Sequence, residues 1–126
     1  MERNGTVMVV IKNHLGKIRY TKAFFYSLIN SAVTSCFGVA GLTPGSKSEE
    51  ILSSLPFMKK LYSDGLGINI RISQNKIRII LHVAVVYGTN TTALVQNIQE
   101  KLSFVINEQT GLTVEDVHVF IDDLVN

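Results

Sequence analysis

The sequence predicts an α+β domain: a mostly antiparallel sheet with two helices packed on one face, in the order β-α-β-β-β-α-β. Three observations carry this. Two alternating aliphatic runs, "LGINIRIS" and "KIRIILHVAVVYG", flank the dipeptide Gln74–Asn75, the pattern of a two-residue hairpin. Residues 21–36 and 91–109 repeat apolar side chains every three or four positions, the pattern of amphipathic helices. The chain closes on a third alternating run, "EDVHVFIDDLV". With 126 residues, 46% apolar and 17% charged, a single domain over 1–126 with its own core is expected.

Taken in order, "TVMVVI" (6–11) reads as an edge strand and "GKIRY" (16–20) as a further short strand. Thr21 can cap the first helix. The apolar face of that helix is Phe24, Phe25, Leu28, Ile29, Ala32, Val33 and Cys36. "FGVAGLTPG" (37–45) is a short strand running into a Gly/Pro turn. Within residues 46–64, Ser46 and Glu49 have capping-box spacing and Pro56 interrupts any helix. The region near 43–66 is too apolar for a free linker, and Phe57, Met58, Lys59 and Lys60 make it a candidate docking loop. Membrane contact by "LPFMKKLY" (55–62) is the weaker reading, because two lysines supply only about 2 kcal/mol on an anionic surface.

With Gln74–Asn75 as the loop, Ile72 faces Ile77, Ile70 faces Ile79 and Ile68 faces Leu81, giving one solid aliphatic surface for the helices. Asn75 tolerates a positive φ. The same register opposes Arg71 to Arg78, unfavourable unless an anion or carboxylate lies between them. Beyond them on that second surface come Ile80, His82, Ala84 and Val86. A face that begins basic and ends apolar is a candidate interface, because an open sheet face should be polar throughout. Tyr87 and Gly88 then turn the strand into a helix from Thr91 to Gln109, capped by Thr89 or Asn90 and stopped by Gly111. The buried stripe of this helix is Leu94, Val95, Ile98, Leu102, Val105 and Ile106.

Charge is divided along the chain. Residues 1–80 hold eleven Lys and Arg against four acids, net +7; residues 81–126 hold one Lys against six acids, net −5. The halves can neutralise each other within one fold, or subunits can attract head to tail. The single cysteine, Cys36, allows no internal disulfide. No apolar run is long enough for a transmembrane segment.

Catalytic and ligand patterns fail on spacing. One glycine followed by threonines at 88–92 lacks the several glycines of a phosphate cradle. "GLTPGSKS" (41–48) misses the P-loop spacing, and Pro44 removes a donor. His82, His118 and Asp122 lack any local zinc-ligand spacing. Asp122 and Asp123, adjacent on a strand, should point to opposite faces and pair with solvent or with Arg71 or Arg78. Ser27, Ser31 and Ser35 read as the polar side of the first helix. Neither a catalytic residue nor a cofactor nor a metal is expected. A small RNA-binding module using Arg71, Lys76, Arg78 and Lys17 or Arg19 is the rival reading. Against it, the hairpin has no aromatic platform and the C-terminal half is acidic.

"VVYGTNTTALVQNIQEKLSFVINEQTGLTVEDVHVFI" resembles the bacterial alkaline shock protein 23 and general stress protein 24 family, the envelope stress response family. The matching features are Tyr87-Gly88 after a valine-rich strand, "NIQEKL" (97–102) in mid-helix, "TGL" (110–112) at the helix end, and Val117 and Val119 in the last strand. "FGVAGL" (37–42) and the hairpin match upstream, so the resemblance covers roughly residues 16–121. Two features depart from the family pattern: a Gln-Asn turn in place of Asp-Gly, and a more aromatic first helix. The resemblance implies a cytoplasmic, non-enzymatic domain that self-associates. It also implies a position at the inner face of the membrane through a membrane-anchored protein partner. No catalytic residue comes with it.

Overall fold

The computed structural model describes residues 7–43 and 67–126. The candidate docking loop (Phe57, Met58, Lys59, Lys60) and the Ser46/Glu49 capping box lie outside the described residues.

The elements are β1 (Val7–Asn13), β2 (Gly16–Thr21), α1 (Lys22–Thr34), β3 (Val39–Leu42), β4 (Ile68–Ser73), β5 (Lys76–Val86), α2 (Thr91–Thr110) and β6 (Thr113–Val125). The expected order holds, with β2 added: β1 and β2 form their own antiparallel hairpin. β5 is the spine of the main sheet. β4 pairs antiparallel with its first half, β3 antiparallel with its second half, and β6 runs parallel along its entire length. A parallel neighbour needs a crossover, and α2 provides it.

The β4–β5 register is the one read from the sequence: Ile72↔Ile77, Ile70↔Ile79, Ile68↔Leu81 and Arg71↔Arg78. The positive φ falls on Gln74 (57°), not on Asn75, because the primed hairpin turns require it at the first loop position. β3 and β4 meet end to end at His82, whose carbonyl accepts from the Thr43 N–H (2.8 Å) and whose N–H donates to Gly67 (3.0 Å).

Both helices bury their stripes on one face of this sheet. Phe25, Ile29, Ala32 and Val33 of α1 join Leu94, Ile98, Leu102 and Ile106 of α2 over Ile68, Ile77, Ile79, Leu81, Val83 and Val85. Ser27, Ser31 and Ser35 are exposed on the opposite side of α1. The caps are the expected ones: the Thr21 hydroxyl accepts from the Phe24 N–H, and the Asn90 side chain, rather than Thr89, accepts from the Ala93 N–H. Gly88 (φ 92°) makes the strand-to-helix bend.

Gly111 ends α2 at φ 80° and donates its N–H to the Asn107 carbonyl. A β-branched residue there is strained although no atom crowds the site. Gly111→Val is therefore expected to destabilise by about 1–2 kcal/mol, read as a lower thermal midpoint. A midpoint equal to the parent's would reject strain as the reason for this glycine.

Candidate functional site

β5 carries every second side chain away from the helices: Lys76, Arg78, Ile80, His82, Ala84 and Val86. Asn69, Arg71 and Ser73 of β4 stand opposite the first of these. β6 adds Thr113, Asp116, His118, Phe120, Asp123 and Val125 on the other side. All the proposed interface residues Arg71, Arg78, Ile80, His82, Ala84 and Val86 thus share this outer face, on which neither helix packs. Ala84 is buried, Ile80 and His82 are half-buried, and Val86 is 41% exposed.

What the sequence did not disclose is the part played by β6. It bulges twice. Arg78 faces Asp116 while Ile77 faces Val114, so Glu115 is the extra residue; Val83 faces Ile121 while Ala84 faces Asp123, so Asp122 is the second. A bulge sets two consecutive residues against one and cancels strict alternation. Glu115 reaches Arg78 at 3.5 Å, and Asp122 reaches His82. The expectation that Asp122 and Asp123 point to opposite faces is corrected for this reason, and so is their pairing with Arg71 or Arg78. The face is not simply basic. Arg71, Lys76 and Arg78 share it with four carboxylates from β6, of which Glu115 pairs with Arg78, Asp116 with His118 and Asp122 with His82, while Asp123 stands opposite Ala84. The Arg71/Arg78 opposition is relieved by a carboxylate, as like charges at that separation require.

The second bulge builds a clasp across three strands. Asp122 Oδ2 accepts from the Thr43 hydroxyl at 3.0 Å and lies 2.9 Å from His82 Nδ1. The small pair Gly41↔Ala84 lies beside it. The Phe120 ring stacks on the His82 ring with centroids 4.8 Å apart and 27° between planes. These three polar residue types invite comparison with a hydrolase triad, but the order is wrong. Here the carboxylate sits between hydroxyl and imidazole, whereas nucleophile activation needs the imidazole between the other two. The clasp ties β3, β5 and β6 together.

The remaining sequence candidates separate. His118 shares the face with His82 but bonds its own acid, Asp116, at 3.1 Å. Among the described residues no three His, Cys, Asp or Glu side chains gather into a metal site. Cys36 is half-buried, its thiol 3.6 Å from the Ala32 carbonyl. It lines a shallow groove of about 610 Å³ with Phe104 and Val105 of α2.

The family model for alkaline shock protein 23, described by a cell envelope-related function, matches residues 10–126. The chain belongs to the alkaline shock protein 23 family. It is similar to the uncharacterized protein YloU of Bacillus subtilis, 22% identical over 113 residues, which span 90% of this chain and 92% of that protein. It is also similar to the uncharacterized protein Spy1614 of Streptococcus pyogenes serotype M6, 25% identical over 116 residues, 92% and 93% of the two chains. No solved structure matches. In this member of the alkaline shock protein 23 family, the match begins within β1 and takes in β2, α1, the β4–β5 hairpin, α2 and the bulged β6. Among the described residues no helix is long and apolar enough to cross a membrane.

Proposed function

We propose that this family member is a non-catalytic, cytoplasmic scaffold of the envelope stress response. It self-associates through the outer face of its sheet and binds a membrane-linked protein partner. The observation that carries the reading is the composition of that face. A middle of Ile80, Phe120, Ala84 and Val86 is framed by Arg71 and Arg78 at one end, with carboxylates at both, and among the described residues no helix lies over it. Apolar centres with charged rims are how recognition surfaces exclude water and fix register.

Changing Arg71 and Arg78 together to Glu tests this. The Arg78–Glu115 pair is exposed and contributes less than about 1 kcal/mol to folding, so the monomer should stay folded. Association should weaken roughly tenfold, seen by sedimentation velocity as a shift toward the monomer. An unchanged sedimentation profile, or a wild type that is monomeric at every concentration, rejects the interface.

RNA binding is the second reading, and Phe120 is what favours it. β6 supplies the aromatic side chain that the hairpin itself lacks, half exposed beside His82. The four carboxylates on the same face oppose it, since phosphate contacts dominate such binding. Affinity for random single-stranded RNA that falls steeply with salt would displace the scaffold reading.

A further inference from the structure

We propose that the β1–β2 hairpin docks on an anionic lipid surface. Its tip, Leu15, enters the headgroup layer, and Lys12, Lys17 and Arg19 face lipid phosphates.

The hairpin register sets Lys12 directly against Lys17 and Val10 against Arg19. These four side chains therefore share one face, and all are exposed. Like charges so placed destabilise a strand pair. The same problem at Arg71 and Arg78 is met by Glu115. Here no described residue meets it, and the sequence has no Asp or Glu between Glu2 and Glu49. Among the described residues none of the three cations has an ion pair. The hairpin is built to be neutralised from outside.

Its tip is the dipeptide His14-Leu15, exposed and held outward. The Asn13 side chain accepts from the N–H groups of Leu15 (2.8 Å) and Gly16 (3.1 Å), and Leu15 is 85% exposed. The opposite side of the hairpin is anchored to the body: Val9 and Tyr20 pack on the core, and the Tyr20 hydroxyl donates to the Gln109 carbonyl at 3.3 Å. The cations and the protruding leucine are thus presented on a fixed mount. Apolar residues flanked by Lys and Arg suit the boundary of an anionic bilayer.

The alternative occupant is the acidic strand of a second copy. β6 is a poor match, because three of its four carboxylates, Glu115, Asp116 and Asp122, are already bonded to Arg78, His118 and His82, which leaves Asp123 alone against three cations. A lipid surface supplies unpaired anionic charge and accommodates the leucine.

The test uses the purified full chain with vesicles of phosphatidylcholine containing phosphatidylglycerol, and vesicles of phosphatidylcholine alone. These mixtures contain no partner protein, so the result is independent of the scaffold reading. The wild type should pellet with the anionic vesicles only, and less at high salt. Lys12→Glu with Lys17→Glu should cut the apparent affinity by about tenfold or more. Leu15→Ser, a change at an exposed tip that spares the fold, should cut it about fivefold. Equal pelleting with neutral vesicles, no pelleting with anionic ones, or variants that bind like the wild type would overturn the proposal. So would a charge-reversal variant that loses self-association yet keeps its vesicle binding, since the hairpin's partner would then be protein.

Discussion

Phe25→Ala should lower the stability of the fold by about 3–5 kcal/mol, the usual cost of removing a buried aromatic ring. Phe25 has no exposed surface. It belongs to the cluster shared by both helices and the sheet. It is also the innermost of three rings, 5.6 Å from Phe24 and 6.0 Å from Tyr20, centroid to centroid. Tyr20 belongs to β2, so the ring cluster is also the attachment of the β1–β2 hairpin to the body. The loss should have two parts: a lower denaturant midpoint, and earlier amide exchange in β1 and β2 than in β5. Since a typical domain has only about 5–15 kcal/mol in hand, the variant should sit near the edge of folding at physiological temperature. A loss below about 1 kcal/mol would mean that the cavity collapses and that Phe25 is not the anchor of the hairpin.

Gly67→Ala should cost about 2–4 kcal/mol for a different reason. A Cβ on Gly67 would stand 2.2 Å from the Thr43 carbonyl oxygen and 3.1 Å from its carbon. Both are backbone atoms, so no rotamer change relieves the contact. Relief requires the ends of β3 and β4 to separate, which strains the two hydrogen bonds that His82 makes there. Overpacking alone typically costs about 1–3 kcal/mol, and a strained buried backbone bond adds to it. Gly41→Ala is the control: it lies on the neighbouring strand, a Cβ there meets nothing within 4 Å, and its effect should be small. Equal midpoints for the two alanine variants would show that the junction yields.

Much of this architecture was legible in the residues. A two-residue loop fixes hairpin register, so Ile68, Ile70 and Ile72 found Leu81, Ile79 and Ile77. Helix faces and caps follow from local chemistry, and Thr21 and Gly111 behave accordingly. The outer face was legible only in its β4–β5 half. Its other half depends on β6 lying parallel to β5 and on two bulges, and neither leaves a trace in hydrophobic period. Phe120, Glu115 and Asp122 therefore enter the candidate interface only once strands are paired in space. Thr43 is further still from view, because its bond to Asp122 spans seventy-nine positions.

The backbone junction at His82 has one more consequence. Thr43 and Gly67 are bonded to the two sides of a single residue, so the chain leaves the sheet and rejoins it at practically the same place. Anything between these two points is, for the frame, a closed detour. Closing a longer detour costs only about 0.6 kcal/mol per doubling of its length. A change of length or sequence between Thr43 and Gly67 should therefore leave the sheet and both hairpins as they are.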